Sequence, residues 1–287
     1  MISNRKPKYL IKKFRSASIA EVKKNLRRKN LHTVCESAKC PNIGECFEKK
    51  TATFMILGSV CNRSCAFCAV EKGTPLPPDS NEPQNIATMV NELGIRYAVI
   101  TSVTRDDLED GGASHFAKTV NAVRRENPGV LVELLIPDFG GDIKALRTVI
   151  GANPEILNHN VETVPRLYPK VRPQADFARS LKLLKYASGS GITAKSGIMA
   201  GLGETPEELL EVFGRLHDNG VSILTLGQYL APSRKHAPVA GYYRQEWFDT
   251  MAEAARRIGI KKVFAGPLVR SSYMAEEVFN EGVFGKG

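Results

Sequence analysis

Residues 192–220 read ITAKSGIMAGLGETPEELLEVFGRLHDNG. The first eight suit a buried strand, and the glycines that follow suit the close packing of a strand entering a helix. Thr205 can cap a helix, Pro206 suits its first turn, and Glu208 completes a capping box. Leu209, Phe213 and Leu216 share one face of that helix, and Gly220 ends it. The stretch is one strand feeding one helix. Outward from it the pattern repeats, with strands expected near 53–57, 97–101, 130–135, 156–160 and 223–229 and helices near 84–93, 113–126, 142–151, 176–188 and 246–258. Strands separated by helices run parallel with right-handed crossovers, and about six such units curl toward a barrel. The expected fold class is α/β, a partial (β/α)6 TIM-like barrel of parallel strands with N-terminal and C-terminal extensions. A doubly wound open sheet gives a similar string of elements, so the choice rests partly on the motifs below. The expected division is an extension over 1–50, the barrel over 51–260 and a second extension over 261–287. The functional site then belongs at the strands' C-terminal ends.

With 43% hydrophobic residues among 287, the chain can bury a full core. It has no apolar run long enough for a membrane span, and the start, MISNRKPKYLIKKFRS, lacks the apolar run of a signal peptide. A cytoplasmic location without membrane association is expected. Residues 1–20 contain no Asp or Glu, which also suits an organelle transit segment, but sequence typical of a folded enzyme follows almost at once. The formal net charge of +10 favours an acidic partner through long-range steering, and it equally suits a solvated basic surface. Only the first thirty residues hold a basic cluster.

All six cysteines fall between residues 35 and 68, which points to shared chemistry. Cys35, Cys40 and Cys46 form Cys-x(4)-Cys-x(5)-Cys; Cys61, Cys65 and Cys68 form Cys-x(3)-Cys-x(2)-Cys. Disulfides explain this poorly, because nothing suggests export and a chain of this length needs no staples. Structural zinc takes four ligands in closely spaced pairs, which two sets of three do not match. A four-iron, four-sulfur cluster held by three thiolates keeps one iron open for a small molecule. The loop Cys61-Asn62-Arg63-Ser64-Cys65-Ala66-Phe67-Cys68 follows the first expected strand, which sets that open iron at the barrel's mouth.

This Cys-x(3)-Cys-x-aromatic-Cys loop, with Phe67 as the aromatic, resembles the signature of the radical S-adenosylmethionine superfamily. Gly197-Ile198-Met199-Ala200-Gly201-Leu202-Gly203-Glu204 resembles the superfamily's Gly-x-Ile-x-Gly-x-x-Glu strand, which lies against the adenine, with Met199 where the pattern has Ile. The resemblance implies that the open iron binds the amino and carboxylate groups of S-adenosylmethionine. One electron from the cluster then cleaves the sulfonium to give methionine and a deoxyadenosyl radical, which takes hydrogen from unactivated carbon.

The first triplet lies in LHTVCESAKCPNIGECF (31–47), where Pro41 and Gly44 are expected to turn the chain so that three thiolates converge. That stretch through Cys68 resembles the lipoyl synthase family. So do TSVTRDDLEDGG (101–112), LNHNVETVPRLYPKVR (157–172), LTLGQYLAPSRKHAPV (224–239) and GPLVRSSY (266–273). The resemblance implies a second, auxiliary 4Fe-4S cluster on Cys35, Cys40 and Cys46, its fourth ligand a serine of Arg270-Ser271-Ser272-Tyr273. Ser272 is favoured, with Ser271 the alternative, since neighbours in an extended segment face opposite ways. It implies insertion of two sulfur atoms at carbons 6 and 8 of a protein-bound octanoyl-lysine, both donated by the auxiliary cluster.

The partners so implied are octanoylated lipoyl carrier domains of the 2-oxoacid dehydrogenase complexes and the glycine-cleavage carrier protein, an electron donor, and an iron–sulfur carrier that rebuilds the auxiliary cluster. Neither nucleic acid nor a membrane is expected. Arg105 and Asp106 after the second strand, Asn160 and Glu162 after the fourth, and Lys195 on the fifth are candidate contacts to the cofactor, with Phe67 and Gly201. The competing reading for the charged positions is a salt bridge or a solvated loop. His159 reads as a hydrogen-bonded structural histidine and Trp247 as core; His32 and His236 could approach the clusters, but no spacing argues for it. The rival functions are a sulfur-inserting tRNA modifier of the same superfamily and a thiolate–zinc module that binds nucleic acid through its basic start.

Overall fold

The structure, a computed structural model, describes residues 7–10, 16–48 and 52–272. Two compact units emerge from its contacts. Among the described residues, one holds 16–48, 52–64 and 69–157 and the other 7–10, 65–68 and 158–272.

In the first unit α1 (Ser16–Arg28) precedes β1 (His32–Thr33), and two short helices, α2 (Val34–Ser37) and α3 (Ile43–Glu48), lead to β2 (Thr53–Ile56). Next come β3 (Val60–Cys61) and β4 (Glu71–Lys72), which pair with each other alone. The repeating part follows as α4 (Glu82–Leu93), β5 (Tyr97–Ser102), α5 (Ala113–Glu126), β6 (Leu131–Leu135), α6 (Ile143–Gly151) and β7 (Ile156–Asn158). β2, β5 and β6 pair in parallel, and β1 lies antiparallel on the other edge of β2. Every residue of β2 is buried, the run expected of a parallel strand covered on both faces. Parallel pairing carries the loops after β2, β5 and β6 to one edge of the sheet, and the cysteine loop leaves from that edge.

The second unit contains α7 (Tyr168–Val171), α8 (Phe177–Gly189), β8 (Thr193–Ala200), α9 (Pro206–Asp218), β9 (Ile223–Gln228), α10 (Gln245–Ile258) and β10 (Lys262–Gly266). β8, β9 and β10 pair in parallel. The capping box at α9 is complete: the Thr205 hydroxyl accepts from Glu208 N–H, and the Glu208 carboxylate accepts from Thr205 N–H. Leu209, Val212, Phe213 and Leu216 are buried, and each such side chain contributes about 1.5 to 3 kcal/mol by leaving water.

Among the described residues, β2, β5, β6, β8 and β9 each lead into a helix of nine residues or more, and β7 reaches the thirteen-residue α8 after the short α7; β2 pairs in parallel with β5, β5 with β6, β8 with β9 and β9 with β10. The α/β class with six strand–helix repeats is therefore present as expected. Three details differ. The fourth strand ends at Asn158 rather than 160, because His159 N–H and Glu162 N–H turn to the carbonyls of Lys195 and Gly197. β10 was not expected. Trp247 is half-buried rather than core, and its ring stacks on Tyr243 at 4.0 Å between centroids.

Candidate functional site

The cysteine loop is closed at its base by backbone. Cys61 pairs with Lys72 across β3 and β4, and Gly73 N–H donates to Cys61 C=O at 3.0 Å. The Cys61 sulfur then accepts two backbone N–H groups, from Arg63 and from Thr104, each at 3.4 Å. Such donors favour a sulfur carrying negative charge, the form that ligates metal.

Polar side chains fasten the loop to the segment after β5. Asn62 Nδ2 donates to Asp107 Oδ1 at 2.6 Å, and Asn62 Oδ1 accepts from Asp106 N–H at 3.0 Å. Arg63 donates to both carboxylate oxygens of Asp106 at 2.7 Å and to Asp138 Oδ1 at 2.6 Å. Arg105 is buried; it grips Asp107 at 2.8 and 2.9 Å and reaches Leu57 C=O at 3.4 Å. The Arg105 hydrogen bonds, with help from Asn62, hold the Asp107 carboxyl at about 2. Both charged candidates from this segment, Arg105 and Asp106, thus have their charged ends engaged by protein.

The loop's second half belongs to the other unit, where it is again held by backbone. Ala66 N–H donates to Val171 C=O and Ala237 N–H to Ala66 C=O, both at 2.9 Å, and Cys68 N–H donates to Cys65 C=O at 3.2 Å. His236 Nε2 lies 3.1 Å from Cys68 C=O and its Nδ1 2.9 Å from Ser233 Oγ. A carbonyl can only accept, so in the neutral ring Nε2 carries the proton and Nδ1 accepts from the serine. His236 therefore braces Cys68 across 168 positions of sequence. Phe67 is half-buried.

Asn160 and Glu162 meet in the same unit, Asn160 Nδ2 donating to Glu162 Oε1 at 3.1 Å. The backbone of Glu162 is left-handed, φ 65°, a conformation that costs a non-glycine residue about 1 to 3 kcal/mol. It is held there by a one-residue bridge to β8, in which Glu162 N–H donates to Gly197 C=O and Met199 N–H to Glu162 C=O. Burial pushes the Glu162 carboxyl upward, opposed by the charges of Arg172 and Arg270 and by the Asn160 amide. Asn160 Oδ1 is buried with no hydrogen-bond partner. It lies where a Cβ on Gly197 would come within 2.6 Å. An unsatisfied acceptor beside a raised carboxylate suits a ligand rich in N–H and O–H donors.

Gly201 follows β8 at φ 106°, and a Cβ there would meet Gln228 Nε2 at 2.4 Å and Gly241 C=O at 2.5 Å. Glu204 accepts from the N–H groups of Gly201 and Leu202. Lys195 is buried in the first half of β8. At roughly 3.3 Å per residue it lies roughly 16 Å along the strand from Ala200 at its C-terminal end. The His159 ring is buried 2.9 Å from Ser180 Oγ.

In the first unit Cys35 lies on α2, Cys46 on α3 and Cys40 on the segment between them. Thr33 caps α2 by accepting from Glu36 N–H at 3.3 Å, and Cys35 is buried within that helix. The turn comes at Lys39, φ 52°. Gly44, expected to help turn the chain, lies inside α3. Cys40 N–H donates to Cys35 C=O at 3.0 Å, and Asn42 N–H reaches the Cys40 sulfur at 3.5 Å. Burial, reinforced by Cys40 and Cys46 and opposed by hydrogen bonds involving Thr53, pushes the Cys35 thiol up to about 12. Three thiols within electrostatic reach, one stripped of water, need a cation's charge to be stable as thiolates. Among the described residues no three His, Cys, Asp or Glu side chains are gathered for a single metal ion. Ser271 and Ser272 are half-buried in a turn after β10, and Tyr273 lies outside the described residues.

Arg63, Asp138 and His236 are the contributors that local spacing did not single out. Arg63 sits within the cysteine motif, but its partners lie 43 and 75 positions away.

A family model described as the radical SAM superfamily matches residues 55–216. A lipoyl synthase from Caldanaerobacter subterraneus subsp. tengcongensis is 53% identical over 274 residues, covering 95% of this chain and 96% of its own. One from Caldicellulosiruptor saccharolyticus is 54% identical over 280 residues, covering 96% and 98%. Among solved structures, Streptococcus suis SuiB bound to S-adenosylmethionine matches with a TM-score of 0.57 at 12% identity, covering 85% of this chain. This chain spans 58% of SuiB, and at that identity the likeness is one of fold. Identity at this level over nearly the whole of both chains, with the superfamily match across the cysteine loop and the strands beyond it, assigns the chain to the lipoyl synthase family of radical SAM enzymes.

Proposed function

We propose that the chain inserts two sulfur atoms at carbons 6 and 8 of an octanoyl-lysine on a carrier protein, giving the lipoyl group. As a radical SAM family member it uses a 4Fe-4S cluster and S-adenosylmethionine. When bound, these supply one-electron cleavage of a sulfonium and so hydrogen removal from unactivated carbon, and an auxiliary 4Fe-4S cluster supplies the sulfur.

The chain's own residues hold and shield. Cys61, Cys65 and Cys68 are the proposed ligands of the first cluster, and Cys35, Cys40 and Cys46 with Ser272, or alternatively Ser271, those of the second. A hydroxyl is a weaker ligand for iron than a thiolate, which suits a cluster that gives up its sulfur. In this reading the extensions 1–50 and 261–287 serve the auxiliary centre and 51–260 the radical chemistry. Asn160, Glu162, Gly201 and Phe67 surround S-adenosylmethionine. We assign Arg105 and Asp106 to holding the cysteine loop and Lys195 to the interior of its unit. The octanoylated carrier is the substrate. A low-potential electron donor and an iron–sulfur carrier that restores the auxiliary cluster are the further partners. No helix among the described residues is long and apolar enough to cross a membrane, and we place the enzyme in the cytoplasm.

The observation that most supports two centres is that Cys40 and Cys46 lie within electrostatic reach of Cys35, apart in sequence from the loop that begins at Cys61. The test is iron and acid-labile sulfide in anaerobically reconstituted protein, then octanoylated carrier peptide followed by mass. About eight irons per chain and lipoyl product are expected. Zinc without sulfide would remove the proposal.

A further inference from the structure

Arg63 of the cysteine loop is paired with two carboxylates, the buried Asp138 and the exposed Asp106. The Arg63 side chain is 6% exposed and that of Asp138 1%. Removing such charges from water costs several kcal/mol per ion unless geometry and hydrogen bonding repay it. Here they do: Arg63 Nε and Nη2 meet Asp106 Oδ2 and Oδ1 at 2.7 Å, and Nη2 also meets Asp138 Oδ1 at 2.6 Å. Asp138 is itself fixed, accepting from Gly140 N–H at 3.2 Å. One guanidinium therefore ties together the segments that follow β2, β5 and β6. The same Arg63 offers its backbone N–H to the Cys61 sulfur, and the tied segment offers the N–H of Thr104.

We propose that Arg63 and Asp138 are a positioning pair for the radical-generating centre: Asp138 fixes the Arg63 guanidinium, and the fixed Arg63 keeps the loop backbone where two N–H groups stay on the Cys61 sulfur. The inference rests on reading Cys61, Cys65 and Cys68 as cluster ligands. Neither residue touches the reacting atoms. Their effect is on the sulfur, because N–H donors stabilise the more negative, reduced state of a thiolate-ligated cluster and so raise its potential.

The test uses anaerobically reconstituted full-length holoenzyme as wild type, Arg63→Lys, Asp138→Asn and the double variant. Lysine keeps the positive charge and loses the planar fork. In Arg63→Lys the midpoint of the S-adenosylmethionine-sensitive cluster, followed by paramagnetic resonance during a redox titration, is expected to fall. Reductant-driven cleavage of S-adenosylmethionine should slow by about 10-fold to 100-fold in each single variant. The double variant should be no slower than the slower single, because Asp138 acts through Arg63. Iron lost selectively from folded Arg63→Lys would be the same result in stronger form. A wild-type midpoint with wild-type cleavage in Arg63→Lys would overturn the pairing, as would losses that multiply in the double variant. If Asp138→Asn fails to fold, Asp106→Asn takes its place in the cycle. Wild-type protein that takes up no iron would instead defeat the ligand reading, a separate outcome.

Discussion

Gly201 and Gly203 both have left-handed backbones, at φ 106° and 111°, but different surroundings. A methyl on Gly201 would meet polar atoms of Gln228 and Gly241 at about 2.5 Å or less, whereas one on Gly203 would meet only Ala240 Cβ at 3.8 Å. Gly201→Ala should therefore lose more stability in denaturant unfolding than Gly203→Ala, which pays the backbone cost alone, about 1 to 3 kcal/mol. Equal losses would show that crowding at Gly201 relaxes freely. On the proposed assignment the thiols divide by function. Cys40→Ala should keep cleavage of S-adenosylmethionine and lose sulfur insertion, while Cys65→Ala should lose both, with either variant short of about half the iron. Full lipoyl product from Cys40→Ala would contradict that division. What was legible here is the pattern, because it is local: the spacing of the cysteines and a strand entering a helix at the glycine. Asp138 and His236 were not, since each acquires its role from contacts 75 and 168 positions away.

Among the elements, α9 was the most fully readable, since cap, first-turn proline and apolar face all lie within fifteen residues. Its capping glutamate also carries a tertiary contact that local sequence does not show: Arg166 forks onto Glu208 at 2.6 and 2.9 Å. Those hydrogen bonds, with Thr205 N–H second, hold the Glu208 carboxyl at about 2 against an ordinary 4.5. A carboxyl lowered on folding stabilises the protein above its unfolded value, and that contribution drains away as pH falls from about 4.5 toward about 2. Wild type should thus melt above Glu208→Gln at pH 7, and the gap should close as the acid limb is descended. A gap independent of pH would mean that the carboxylate's charge is not what matters. Apart from α1, whose thirteen residues lie in what was expected only as an extension, the elements that escaped sequence reading are short. α2 and α3 have four and six residues, too few for a 3.6-residue period to declare itself. β10 follows α10 after a three-residue turn and lies beyond the last expected strand–helix unit, so no repeat called for it.

For the whole molecule, the excess of 40 Lys and Arg over 30 Asp and Glu is open to two readings, a steering field or ordinary solvation. The basic cluster near the start is partly answered within the fold: Lys23 pairs with Glu36, and Arg28 and Lys29 both pair with Glu92, each at 3.2 Å. Such partly solvated pairs add little stability, but they do leave the chain's net charge in place, and a net field acts on a partner before contact. If the field guides an acidic carrier domain, kcat/KM for the octanoylated domain should fall several-fold between about 0.02 and 0.3 M salt, as the screening length shrinks below about 10 Å. The turnover number at saturation should hold steady, because salt acts on encounter. A short neutral octanoyl-lysine peptide supplies the comparison: it presents the same acyl chain without the carrier's charge, so its kcat/KM should change by less than about twofold over the same range. Parallel salt curves for domain and peptide would assign the basic surface to solvation and leave recognition to the acyl-lysine arm itself.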